Sequence, residues 1–197
     1  MTGTMSSMAS HVALLRGINL GGRNKVPMAE LREVVTSLGH TGVATYIQSG
    51  NVLFSTPESD TTRLASALEE AIAKAFGLAV SVVVLSRDEL AGIMDRNPYP
   101  DEPKPQYVHV VFLASRPTRD LLDRIKAAES TVAAKGSRDT VTAASEALFL
   151  HTPDGFGTSE LAQAVFRIIG PPGQASVMAT ARNWATCTKL LSLCEEK

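Results

Sequence analysis

The sequence predicts an α+β fold made of one β-α-β-β-α-β unit repeated in tandem, with an extra helix after each half. Three observations predict it. Short β-rich runs alternate with helices whose apolar residues recur at three and four, the same element order occurs twice, and one shift of 96 positions carries the first half onto the second.

The first element is the apolar run His11 to Gly17 (HVALLRG), which reads as a strand. The polar loop INLGGRNKV and Pro27, a residue favoured in a first helical turn, lead into a helix over Met28 to Leu38. Its inward stripe is Leu31, Val34, Val35 and Leu38, and Gly39 stands where a C-terminal cap is expected. Val43 to Gln48 and Asn51 to Ser55 flank Ser49-Gly50, so they form a hairpin. After Pro57, residues Asp60 to Phe76 place Leu64, Leu68 and Ile72 on one helical stripe, ended by Gly77. Val80 to Leu85 is the fourth strand, and Ser86 to Met94 is a short helix with a serine cap and two acids.

The order then returns. Tyr107 to Leu113 is a strand, Thr118 to Ala128 a helix, Thr140 to Ala144 and Ala147 to His151 two strands, and Thr158 to Ile169 a helix. A weak strand at Ser176 to Ala179 and a helix at Asn183 to Leu193 follow.

The shift of 96 places Val12 on Val108, Val52 on Leu148, Phe54 on Leu150, Pro57 on Pro153, Val82 on Met178 and Met94 on Leu190. Such an order fits the ferredoxin-like class of split β-α-β sandwiches. The expected organisation is a frayed tail at 1–10, a first half at 11–96, a proline-rich linker at 97–106 and a second half with its C-terminal helix at 107–197.

Composition limits function without choosing a chemistry. The 197 residues are 44% hydrophobic and 20% charged, with 19 Lys and Arg against 20 Asp and Glu. A net charge of -1 argues against a protein that coats nucleic acid over its whole surface. Two cysteines, Cys187 and Cys194, have neither zinc-site nor disulfide-framework spacing, which fits reduced thiols in a cytoplasmic protein. No apolar run is long enough to span a membrane, and nothing in the sequence implies a metal or a cofactor.

The stretches LLRGINLGGRNKVPMAELR, TYIQSGNVLFSTP, LFLHTPDGFG and TARNWATCTKLL strongly resemble the bacterial family known as domain of unknown function 1697, from about Val12 to Leu193. The resemblance implies a duplicated ferredoxin-like fold. It implies no activity, substrate or catalytic residue.

The segment Arg16 to Lys25 is the most suggestive. It holds Arg16, Arg23 and Lys25 and no acid, with Asn19, Gly21, Gly22 and Asn24 between them, and it leads toward a helix N-terminus that favours anions. The spacing is neither a Walker loop nor GxGxxG, and a plain turn satisfies the same glycines. The second half has only the shorter Ala114 to Arg119 there, so the fold itself does not demand the loop. Gln48, Ser49 and Asn51 at the first hairpin, and Arg182, Asn183 and Lys189 at the start of the last helix, are further candidate ligand contacts. The single tryptophan, Trp184, reads as a packing anchor. His109 and His151 fall on neighbouring strands with no third ligand of sensible spacing, so no metal site is expected.

Three functions compete. The leading one is a non-catalytic module that holds an anionic ligand, a phosphate-containing metabolite or single-stranded nucleic acid, at residues 16–25. An enzyme acting on a phosphate or acyl phosphate, with Arg23 as cradle and Asn19 or Asn51 positioning water, is the second. A protein-interaction scaffold is the third.

Overall fold

In the computed structural model, residues 9–170 and 177–196 are described. They form six helices and two four-stranded antiparallel sheets, an α+β architecture with two similar halves. The first sheet contains β1 (His11–Leu15), β2 (Thr41–Tyr46), β3 (Asn51–Ser55) and β4 (Val82–Ser86) in the order β2-β3-β1-β4. The second contains β5 (Val108–Leu113), β6 (Thr140–Ala144), β7 (Ala147–His151) and β8 (Ala179–Asn183) in the order β6-β7-β5-β8. The strands of the two sheets therefore run in the same sequence of neighbours.

In the first half, α1 (Met28–Ser37) and α2 (Thr61–Phe76) cover one face of the sheet. Alternate strand residues point to opposite faces, so Ala13, Leu15, Val52, Phe54, Val82 and Val84 meet Leu31, Val35, Leu64, Leu68 and Ile72 in one core. The Asp60 carboxylate caps α2 by accepting from the Arg63 amide at 3.0 Å, and Gly77 ends the helix in a left-handed conformation. A capping box opens α3 (Arg87–Met94): Ser86 Oγ accepts from the Glu89 amide while Glu89 Oε2 accepts from the Ser86 amide at 2.7 Å.

The second half repeats this plan. Val111, Leu113, Leu148, Leu150, Ala179 and Ala181 face Leu121, Ile125 and Val132 of α4 (Arg119–Ala133) and Leu161, Val165 and Ile169 of α5 (Glu160–Ile169). Thr118 and Ser159 cap the two helices. The last helix, α6, spans Trp184–Glu195.

The chain divides into two compact units, Met1–Ala91 with Lys189–Lys197, and Gly92–Thr188. Each boundary falls inside a helix, and the end of α6 goes with the first unit.

Several sequence expectations differ from the structure. The last strand is Ala179–Asn183 rather than Ser176 to Ala179, of which Ser176 lies outside the described residues. Its core positions are the small residues Ala179 and Ala181, and Arg182 and Asn183 follow, so no β-rich run marks it. Helix α4 runs on to Ala133, because the strong helix formers near Ala127 and Ala128 carry it to the buried Val132. The single shift of 96 also splits into three. Matched pairing registers, His11 with Phe54 against His109 with Leu150, carry β1 onto β5 by 98 and β3 onto β7 by 96. Ala13 with Val84 against Val111 with Ala181 carries β4 onto β8 by 97. Met178 is therefore not the counterpart of Val82, whose place Ala179 takes opposite Leu113. No helix among the described residues is long and apolar enough to cross a membrane.

Candidate functional site

Residues 16–25 fold into a small hairpin of their own. Leu20 and Arg23 pair across Gly21 and Gly22, with the Arg23 amide donating to the Leu20 carbonyl at 3.0 Å. Both glycines have positive φ, 54° and 80°, the requirement of the type I′ turn that joins tightly twisted strands. The turn geometry thus accounts for the glycine pair.

Asparagines hold the foot of this hairpin. The Asn19 amide donates to the Asn24 carbonyl at 3.0 Å, and both residues are left-handed, φ 54° and 49°. Asn19 Oδ1 accepts from the Val26 amide at 2.9 Å, and Asn19 Nδ2 donates to the carbonyls of Val26 and Gln48, each at 3.0 Å. Asn24 Nδ2 donates to the Gly17 carbonyl at 3.0 Å. The Arg16 amide donates to the Ser81 carbonyl at 2.8 Å, and burial of the guanidinium lowers its pKa.

The second turn, between β2 and β3, sits against the first. The Leu15 amide donates to the Gly50 carbonyl at 2.8 Å. A Cβ at Gly50 would lie 2.7 Å from Leu15 Cβ and 2.8 Å from Ile18 Cδ1, so only glycine admits this approach. Asn51 is fully buried, and its Nδ2 donates to the Tyr46 carbonyl at 3.0 Å and to Ser49 Oγ at 2.9 Å. Asn51 and Ser49 therefore brace the turn, while Gln48 is exposed and enters the contact through its backbone. Sequence reasoning missed Leu20 and Ile47, which are 64% and 51% exposed at the tips of the two turns. Their only sequence signal is an apolar residue directly beside turn formers.

Arg23 and Lys25 are exposed on the 16–25 hairpin. Helix α1 starts at Met28 behind Pro27, which provides no side-chain cap, and Glu30 already occupies its first turn. The second half joins the same two places differently. The Leu113 amide donates to the Glu146 carbonyl at 2.9 Å, and Arg116 Nε donates to Glu146 Oε1 at 2.7 Å, so this arginine is paired and holds the Glu146 carboxyl below its ordinary pKa.

The family described as a protein of unknown function, DUF1697, matches residues 8–148. The chain belongs to that family. The match takes in both turns of the first half, while the TARNWATCTKLL segment lies beyond its end. A solved structure titled as conserved bacterial protein SP0830 from Streptococcus pneumoniae resembles this DUF1697 chain at a TM-score of 0.64 and 22% identity. The alignment covers 95% of this chain and 99% of that one, which establishes a common fold. No curated protein matches the sequence.

Arg182 and Asn183 of this DUF1697 chain lie on β8 and not on the helix, so Arg182 and Lys189 share no helical face. The reason is local. Asn183 Oδ1 accepts from the Thr186 amide at 2.8 Å and starts α6 after it. Arg182 is 8% exposed, its Nη1 donates to Thr180 Oγ1 at 2.9 Å and to the Ala181 carbonyl at 2.7 Å, and burial lowers its pKa to about 10. Lys189 pairs with Glu196 at 3.0 Å. Trp184 sits against Phe149, ring centres 6.5 Å apart.

His109 and His151 face opposite sides of the second sheet. His109 stacks on Phe156 at 3.8 Å on the helix side, and its Nδ1 is buried without a hydrogen-bond partner. His151 Nε2 lies 2.6 Å from Glu102 Oε2, with the Tyr99 ring stacked on the imidazole and the Tyr99 hydroxyl 2.8 Å from Thr140 Oγ1. An open cleft of about 590 Å³ between α4 and α5 has its Lys135 and Glu160 paired at 2.8 Å. Among the described residues, no group of three or more His, Cys, Asp or Glu could hold a metal ion.

Proposed function

We propose that this DUF1697 protein is a non-catalytic cytoplasmic module that binds an anionic ligand, a phosphate-containing metabolite or single-stranded nucleic acid, at the 16–25 hairpin. The observation that carries the reading is the contrast between the halves. Arg23 and Lys25 stand exposed on a braced hairpin, and the first acid of the whole chain is Glu30. At the matching place in the second half Arg116 pairs with Glu146 and Arg119 lies 3.9 Å from Asp123. Bracing by Asn19 and Asn24 fixes the cations before binding, which lowers the ordering cost of association.

The same geometry favours binding over turnover. Asn19 uses both ends of its side-chain amide on the turn, and Asn51 is buried with its amide committed, so neither has the free group that would position a water. Tandem duplication of a ferredoxin-like unit is the origin we propose for the two halves, supported by their common strand order and matching registers. Cys187 and Cys194 are buried free thiols, which suits a reducing compartment.

Calorimetric titration with phosphate, nucleotides and short single-stranded oligonucleotides tests the proposal. Wild type is expected to bind at least one of them, and the Arg23→Ala/Lys25→Ala variant none, with an unchanged melting temperature because exposed charges contribute little to stability. Equal binding by the variant, or no binding by wild type at millimolar concentration, overturns it.

A further inference from the structure

Two observations at the hairpin are unexplained by an anion site alone. Leu20 and Ile47 are exposed aliphatic side chains at the tips of two turns that the Asn19–Gln48 hydrogen bond holds together. Ile47 also has φ +50°, a conformation that a β-branched residue avoids. The turn of the second half uses Ser145, φ 55°, at its own left-handed position. An isoleucine there is unfavourable in backbone terms and gains little from burial, so folding does not account for it.

Resting on the anion-site reading above, we infer that Leu20 and Ile47 form the apolar centre of a protein-binding surface whose rim is Arg23, Lys25 and Arg32. Its partner is an acidic peptide segment that carries an aliphatic or aromatic side chain between carboxylates. Arg32 belongs to the rim because its Nη1 donates to Thr45 Oγ1 at 2.8 Å, which anchors it beside the Ile47 turn. Charge complementarity selects the acidic partner: Arg23 and Lys25 are both exposed, and no acid lies between His11 and Ala29. An apolar centre inside a charged rim is the usual anatomy of a specific interface. Base stacking is disfavoured, since Tyr46, which precedes the Ile47 turn, is half-buried and neither turn carries an aromatic residue.

Selection from a random peptide library displayed on phage, against the immobilised full chain, tests this. Enriched peptides are expected to combine acids with an aliphatic or aromatic residue, and to lose on the order of tenfold or more in affinity on Leu20→Ser/Ile47→Ser and again on Arg23→Glu/Lys25→Glu. Both variants change exposed positions and are expected to melt as wild type does or higher. Peptides that depend on the cations but not on Leu20 and Ile47 overturn this inference and leave the anion site standing. Dependence on Leu20 and Ile47 without the cations overturns the acidic partner, and the titration of phosphate, nucleotides and oligonucleotides then decides the anion site separately. Failure to enrich any peptide, with tight binding of an oligothymidine strand or of phosphatidylserine vesicles in parallel titrations, assigns the surface to that ligand instead and refutes the inference.

Discussion

Asn19 Nδ2 donates to the Gln48 carbonyl at 3.0 Å, and this one contact joins two loops that are far apart in sequence. The same side chain satisfies the amide of Val26, a residue that is fully buried. Removing it leaves that amide unpaired away from water. Asn19→Ala is therefore expected to cost about 2 to 4 kcal/mol, part from the orphaned amide and part from alanine in a left-handed conformation. Asn19→Gly, which keeps the backbone at ease, is expected to cost about 1 kcal/mol less. Urea midpoints of the three proteins check both values, and equal costs for the two variants would contradict the left-handed share.

Gly50 is held by contact as well as by φ. Alanine there must adopt φ +74° and push its Cβ into Leu15 Cβ and Ile18 Cδ1, both buried. Leu15 Cβ is attached to a strand hydrogen-bonded on both sides and cannot swing away. Gly50→Ala is expected to destabilise the fold by about 3 kcal/mol or more, with amide exchange accelerated in residues 15–26 and 46–51. A loss below about 1 kcal/mol would show that the two turns separate easily.

Ile47 makes the opposite prediction. Asparagine tolerates the left-handed region that isoleucine resists, and the isoleucine side chain is half in water already. Ile47→Asn is expected to stabilise the protein by about 1 kcal/mol in chemical denaturation, a rare direction for a point change. A destabilising result would mean that the side chain has packing that its exposure hides.

Much of this fold is legible in the sequence because periodic apolar residues coincide with turn chemistry. Leu64, Leu68 and Ile72 between Asp60 and Gly77 announce α2 with its boundaries, and Gly50 announces the β2–β3 hairpin. Strand β8 is not legible, since it contributes two alanines to the core and ends in Arg182 and Asn183. The glycine pair at Gly21 and Gly22 is ambiguous for a different reason. A type I′ turn and a phosphate cradle call for the same residue, and only the Leu20–Arg23 pairing distinguishes them. The tie between Asn19 and Gln48 depends on tertiary placement and has no local signature. The match of Glu102 to His151 is hidden likewise, because the two meet only when residues 97–107 lie along the sheet.

The buried imidazole of His109 gives the fold a pH dependence whose sign is fixed. Burial lowers its pKa from 6.5 to about 4, and its Nδ1 has no partner that would compensate a positive charge. In the unfolded chain the ring takes up a proton near pH 6.5, and in the folded chain only near pH 4. Between those values the unfolded state binds more protons, so stability is complete above about pH 6.5 and falls as pH drops toward 4. The expected loss from this residue is about 2 to 3 kcal/mol, after allowance for its partial exposure. His11 and His40, both lowered by burial, add to the slope in the same direction. Carboxylates held below their ordinary range, such as Glu102 and Glu146, begin to lose their contribution as pH falls through their ordinary value of 4.5, so the upper part of the window belongs to the histidines. Denaturation free energies measured from pH 4 to pH 7.5 on wild type and His109→Leu provide the check. Leucine keeps the apolar packing on Phe156 and cannot titrate, so the variant curve is expected to be distinctly flatter between pH 4 and 6.5. Parallel curves would show that the His109 ring is protonated as readily in the fold as outside it.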